Sequence, residues 1–275
     1  MNLAAVNAFY ELRPFPGYAP GDDAAALLDR CRTSPFVVAL DRATAPDARV
    51  LEVGCGTGQL SNFLALAGPR RRVTGLDYTR AALEAAEAFR RRAGARNLLL
   101  LRADLFAMPV PAWAFDVVVC RGVVHHTPDP DGAIREVCAR VGPGGHLVLG
   151  FYERIARLPH RARVLLARNG RRPIRALDAV LRRRDLDDTR KLTWIEDQYR
   201  HPLERSLSIL HVLDVVRGAG LQWVASVPPA PAAGLFDPTP LPSRAALRRR
   251  RLEWAWRCIV DEDAGLVCLV ARRAE

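Results

Sequence analysis

Three glycines in five residues, Gly54, Gly56 and Gly58, follow the apolar run RVLEV and precede the helix-like pattern QLSNFLALAG. A strand, a glycine-rich turn and a helix start bring several backbone N–H groups to one point. That arrangement suits a nucleotide-derived ligand. The glycine spacing is G-x-G-x-G, and Gln59 stands where the dinucleotide fingerprint has its third glycine. Glu52 lies two residues ahead of the turn, at the end of the strand. A pyrophosphate there would face a carboxylate, and two like unit charges about 4 Å apart repel by about 4 kcal/mol at an effective dielectric near 20. A cationic, phosphate-free ligand reverses that sign.

S-adenosyl-L-methionine has this chemistry, with an ammonium, a sulfonium and no phosphate. Asp77, 19 residues after Gly58, ends the next apolar run, RVTGLD. A carboxylate at that point accepts hydrogen bonds from ribose hydroxyls, in a dinucleotide and in adenosylmethionine alike. Asp104 ends a third run; it can accept from an adenine amino group while Leu105 packs on the ring. After the fourth run comes CRGVVHHTPDP, where the reactive end of such a ligand should lie. His125 or His126 is a candidate general base on a substrate hydroxyl, since imidazole titrates near pH 6.5. The alternative for the pair is packing beside the ligand and capping the following turn. Methyl transfer from a sulfonium needs little beyond alignment and desolvation.

The elements that must position these groups alternate. Strand-like RVLEV, RVTGLD, NLLLLRAD, FDVVVC and HLVLGFY are separated by helix-like QLSNFLALAG, TRAALEAAEAFRRRAG and DGAIREVCARVG. Continuous apolar strands between helices imply a doubly wound parallel sheet covered on both faces. Two later runs, LQWVASV and GLVCLVAR, complete seven strands. Residues 1–47 read as helical with breaks at PFPGYAPGDD, residues 48–275 as one α/β domain, and residues 153–205 as a basic helical insertion within it. Asp22 or Asp23, and Ser34 followed by Pro35, read as helix starts.

The motifs VLEVGCGTG, GLDYT, ADL, FDVVVCRGVVHHTPDP and GPGGHLVLG together resemble the core of the class I S-adenosylmethionine-dependent methyltransferases. The resemblance implies a Rossmann-like sheet with an antiparallel last strand. It implies cofactor contacts for Glu52, Gly54, Cys55, Gly56, Gly58, Asp77, Tyr78, Asp104, Leu105 and Arg121. The stretch after the fourth strand lacks the Asn/Asp-Pro-Pro-aromatic motif of base N-methyltransferases and is similar to small-molecule methyltransferases. The expected activity is therefore methyl transfer to an oxygen, nitrogen or carbon of a small molecule. An RNA methyltransferase and a non-catalytic partner subunit of the same fold are the alternatives. Tyr10 and Tyr18 in the N-terminal segment, and Tyr199 and His201 in WIEDQYRHPLERS, are the expected substrate residues, on two segments that form a lid.

Composition bounds the rest. The chain has 275 residues, 49% of them hydrophobic, enough for a sizeable core without disulfides. Six cysteines, Cys31, Cys55, Cys120, Cys138, Cys258 and Cys268, form no C-x-x-C pair, so no metal site is expected. No run reaches about 18 apolar residues and no signal peptide is legible, so the expectation is a cytoplasmic protein without a membrane span. The net charge is +11, and Lys191 is the one lysine. Arginine runs at Arg171–Arg172, Arg182–Arg184 and Arg248–Arg251 read as a solvated basic surface, with an anionic or carrier-bound substrate, or RNA, as the sharper alternatives. The oligomeric state is not legible.

Overall fold

The computed structural model describes residues 3–12, 14–19, 21–168, 174–183, 188–201, 203–229, 234–260 and 265–275. Arg171, Arg172 and Arg184 lie outside them. The chain starts with three helices, α1 (Leu3–Leu12), α2 (Ala24–Arg32) and α3 (Pro35–Ala43). Asp23 caps α2 by accepting from the Ala26 N–H at 2.8 Å, and Ser34 caps α3, whose first residue is Pro35. Alternation then sets in: β1 (Arg49–Val53), α4 (Gln59–Ala67), β2 (Arg72–Asp77), α5 (Arg80–Ala93), β3 (Leu98–Arg102), β4 (Phe115–Arg121), α6 (Pro130–Cys138) and β5 (Val141–Tyr152). Gly94, at φ 72°, ends α5 in the left-handed conformation that favours glycine. Then follow α7 (Leu158–Arg168), α8 (Ile174–Leu177), α9 (Asp188–Tyr199), α10 (Ile209–Gly218), β6 (Leu221–Val227), α11 (Arg244–Val260) and β7 (Leu266–Arg273).

The strands form one seven-stranded sheet in the order β3-β2-β1-β4-β5-β7-β6. The first five strands pair in parallel, and β7 runs antiparallel to both β5 and β6. This is a Rossmann-like sheet with an antiparallel last strand, as the motifs imply. Successive side chains of a strand point to opposite faces. Val50, Val73, Val117, Val119 and Val148 accordingly enter one core cluster, while Leu51, Leu76, Val118, Cys120 and Leu149 enter the other. The sheet is thus buried on both sides, and its winding reverses between β1 and β4. Such a switch point opens a crevice beyond the carboxyl ends of the strands.

Two expectations are refined. β5 starts at Val141 rather than at His146, because the GPGG segment runs in against neighbouring backbone. A Cβ on Gly142 would lie 2.9 Å from the Trp113 carbonyl oxygen, and one on Gly145 2.9 Å from that of Phe115. The run Arg248–Arg251 is only half solvated: Arg250 donates to the Ser226 hydroxyl at 3.0 Å, and Arg251 pairs with the buried Glu153 at 2.7 Å. A run that wraps a helix must send some members inward. All six cysteines are free thiols.

Candidate active site

The glycine turn is shaped by close approach. Gly54, Gly56 and Gly58 all have positive φ. A Cβ on Gly54 would lie 2.2 Å from a Val123 methyl, and one on Gly56 2.3 Å from the Phe15 carbonyl oxygen. The turn is therefore pressed between the loop after β4 and the N-terminal segment. Gly54 and Cys55 both donate to the Leu76 carbonyl, at 2.7 and 3.0 Å. Gly56 N–H donates to Asp77 Oδ2 at 2.8 Å, and Thr79 N–H donates to Asp77 Oδ1 at 2.8 Å. The β2 carboxylate thus ties the turn to the next strand. Gly58 stands under the turn against Ala86 of α5, and does not line the cavity above it.

That cavity, of about 660 Å³, lies over the carboxyl ends of β1 to β5. It is within the range of about 300–1,000 Å³ that holds a cofactor or small ligand. The lining residues at or just beyond the ends of β1 to β4, namely Glu52, Gly54, Cys55, Gly56, Asp77, Tyr78, Asp104, Leu105 and Arg121, are taken together as its first lobe, and those brought in from outside these strand ends as its second. Glu52 is buried and accepts from the Ser61 hydroxyl. Burial pushes its carboxyl up to about 7, so a nearby cation is what draws it fully into the charged form. Burial also raises Asp77, against the backbone N–H groups of Thr79 and Gly56, which favour its charged form. Asp104 Oδ1 accepts from the Phe106 N–H at 2.9 Å and caps a short 3₁₀ turn, so Leu105 faces the cavity beside it. Tyr78 stands half exposed at the rim. The Arg121 guanidinium sits 4.8 Å from the centre of the Phe36 ring. Burial raises the Cys55 thiol well above its ordinary range, which makes it a wall and not a nucleophile.

S-adenosyl-L-methionine fits this lobe. Three carboxylates stand at the ends of β1, β2 and β3. Each carboxylate oxygen has two lone pairs, so Asp77 and Asp104 retain acceptor capacity after their backbone bonds. Glu52 would supply the acceptor for its ammonium, Asp77 for its ribose diol and Asp104 for its adenine amino group, with Leu105 as the apolar face.

The second lobe is lined by Tyr10, His126, Tyr152, Val180, Arg183, Trp194, Asp197 and Gln198. His126 and His125 separate here. His126 Nδ1 lies 2.6 Å from the Leu203 carbonyl, which can only accept. The Nδ1 of His126 therefore carries the proton, and its Nε2 is left as an acceptor. Burial lowers His126 to about 4, so it is neutral at pH 7. His125 is fully buried and does not line the cavity; its Nδ1 accepts from the Tyr152 N–H at 3.4 Å. Its ring packs 4.1 Å from that of Tyr152.

The expected substrate residues also divide. Tyr10 lines the cavity and donates to Asp197 Oδ1 at 2.9 Å, joining α1 to α9. Tyr18 stacks on Phe89 at 4.3 Å, away from the cavity. Tyr199 donates to Asp178 at 2.7 Å and is not a cavity residue. His201 stands behind His126, with the ring centres 3.7 Å apart. Tyr152 is among the lining residues that sequence reasoning missed; an aromatic at the carboxyl end of β5 was the available signal. Gln198 donates to both the Tyr152 hydroxyl and Asp197 at 2.8 Å, and accepts from Arg157 at 2.8 Å. Arg157 is fully buried over the Tyr152 ring and pairs with Glu204 at 2.7 Å.

The N-terminal segment is pinned over the glycine turn. The Thr57 hydroxyl donates to the Pro16 carbonyl, and the Gln59 side chain donates to that of Gly17 at 2.9 Å. Glu11 of α1 accepts from the first N–H groups of α5, Arg80 and Ala81, at 2.8 and 3.0 Å. It satisfies donors that α5 itself leaves open.

Comparison with known proteins agrees with this geometry. Residues 45–180 match the family model described as a methyltransferase domain. The ubiquinone biosynthesis O-methyltransferase of Ralstonia nicotianae is 39% identical over 119 residues, 42% of this chain and 49% of that protein. The chain spans about half the length, or less, of the curated relatives it matches. Among solved structures, the magnesium protoporphyrin IX methyltransferase of Synechocystis, with bound S-adenosylhomocysteine, superposes with a TM-score of 0.59. That match has 16% identity and covers 99% of this chain and all of that one, at 100%. An S-adenosylmethionine-dependent methyltransferase of Mesorhizobium loti gives 0.55 at 23% identity, over 88% of this chain and 100% of that one. Residues 45–180 thus carry a methyltransferase domain, and its strand order gives it the Rossmann-like fold of the S-adenosylmethionine-dependent methyltransferases.

Proposed function

We propose that this protein methylates a hydroxyl oxygen of a small molecule, using S-adenosyl-L-methionine. The observation that carries this reading is the roofed second lobe, where Tyr10 of α1 and Asp197 of α9 join at 2.9 Å over the cavity. A roof made by two separate segments suits a small substrate better than a nucleic acid. When bound, the cofactor supplies an electrophilic methyl group on a sulfonium. Glu52, Asp77 and Asp104 hold it, with Gly54, Cys55, Gly56, Leu105, Tyr78 and Arg121 around it. His126, its tautomer set by Leu203, accepts the hydroxyl proton of the substrate at Nε2. Tyr10, Tyr152, Trp194 and Gln198 wall the substrate, and the two covering segments exclude water. The Ralstonia relative is named as an O-methyltransferase, which supports oxygen over nitrogen or carbon.

Calorimetry with S-adenosylhomocysteine tests the cofactor half, with binding expected for the native chain. Incubation of cell extract with methyl-labelled cofactor, followed by mass spectrometry, tests the other half. A labelled small molecule with a new methoxy group is expected; label found only in RNA would overturn the reading.

A further inference from the structure

Helix α11 has two apolar faces, one buried and one exposed. Leu247, Trp254 and Cys258 are buried against the protein. On the opposite side Leu252, Trp256 and Ile259, spaced four and three residues apart, form a stripe with Val260 beside it. Leu252 and Trp256 are 66% and 64% exposed. Helix α7 packs beside α11, with Arg163 donating to Cys258 at 3.7 Å. It repeats the pattern: His160 is buried, while Leu158 and Leu165, seven residues apart, are exposed. Together the two helices carry nine arginines and one acid, Glu253, out of a net charge of +11. Arg161, Arg244, Arg248 and Arg249 are exposed beside the apolar stripes.

We propose that α7 and α11 form a membrane-association face that seats the protein on an anionic lipid bilayer. Exposed leucine, isoleucine and tryptophan enter the boundary between headgroups and acyl chains, while flanking arginines meet the lipid phosphates. Charge complementarity selects this occupant. A second copy would bring a like-charged surface against the same face. RNA would be held by phosphate contacts and stacking rings, and this stripe has one aromatic among aliphatic residues. None of the described helices is long and apolar enough to cross a bilayer, so the contact is with its surface. The face owes nothing to the methyltransferase reading, and its test is independent of cofactor binding.

Co-sedimentation of the full chain with vesicles of equimolar phosphatidylglycerol and phosphatidylcholine is the test, with pure phosphatidylcholine vesicles alongside. The chain should pellet with the anionic vesicles, and less so at high salt. Leu252→Ser with Trp256→Ser should lower partitioning by about tenfold or more. Arg248→Gln with Arg249→Gln should remove the preference for anionic vesicles. All four side chains are exposed, so the thermal midpoint and S-adenosylhomocysteine binding should stay as in the native chain. A native chain that stays in the supernatant overturns the proposal, as does a Leu252/Trp256 variant that pellets equally well. A dimer that this variant dissociates, or salt-sensitive RNA binding, in the absence of vesicle binding would assign the face elsewhere.

Discussion

The two lobes of the cavity are built by different means. The first is made at strand ends: Glu52 is the penultimate residue of β1, Asp77 the last of β2, Asp104 lies two residues beyond β3, and the turn between Gly54 and Gly58 follows β1 directly. The second is assembled from remote segments. Tyr10 and Asp197 meet across 187 residues, and Gln198 and Tyr152 across 46. A strand end is held by its sheet on both sides, so its groups stay in place when one is removed. A roof held by side-chain hydrogen bonds loses its shape when one partner goes. The matched residues 45–180 contain the first lobe, and of the second they contain His126, Tyr152 and Val180 but neither Tyr10 nor Arg183, Trp194, Asp197 and Gln198.

Mutations that separate the lobes should separate binding from turnover. The largest effect is expected at His126. His126→Gln removes the proton acceptor and should lower kcat by about 10²–10⁴-fold, with affinity for S-adenosylhomocysteine unchanged. A matching loss of cofactor affinity would show the two lobes to be one unit. Asp77→Ala should weaken S-adenosylhomocysteine by about 10- to 150-fold, the equivalent of about 1.5–3 kcal/mol for a charge-assisted hydrogen bond. Gln198→Leu should raise the KM of the substrate by about tenfold through loss of one buried hydrogen-bond partner, and leave cofactor affinity intact. Tyr199→Phe, outside the cavity, should change neither.

The smallest effects are those of pH. Because His126 is neutral down to about 4, turnover should show no His126-dependent acid limb between pH 5 and 8. Stability, in contrast, should fall with acid. Burial holds His126 and His201 at about 4, below the ordinary 6.5. The unfolded chain therefore binds more protons below about pH 6.5, and stability is lost as pH falls from there toward 4. Glu52 has the opposite sign: raised to about 7 from 4.5, it contributes stability at low pH that is lost as pH rises through this window. Glu52→Gln should therefore raise the thermal midpoint at pH 8 while weakening cofactor binding, as measured by thermal denaturation and calorimetry.

Much of the first lobe's framework is legible in the sequence. RVLEV and RVTGLD coincide with β1 and β2, residue for residue. Their apolar continuity required burial on both faces, and only helix-covered parallel strands provide that. Glu52, on which the charge argument rests, lines the cavity, where burial pushes its carboxyl to about 7. The helix caps at Asp23 and Ser34 were legible because a cap acts within three residues.

What the sequence by itself determined is therefore what local rules control: strand and helix periodicity, caps, the glycine turn and the carboxylates at strand ends. Only the tertiary structure decided which of two adjacent histidines faces the cavity. Their types and positions in the chain are equivalent, and the choice depends on a Leu203 carbonyl brought in from 77 residues away. The same holds for Tyr152 and Gln198, and for the arginine run of α11, where Arg250 and Arg251 turn inward to Ser226 and Glu153. Each of those contacts is made by packing elements against one another, a step that periodicity and spacing along a single chain do not encode.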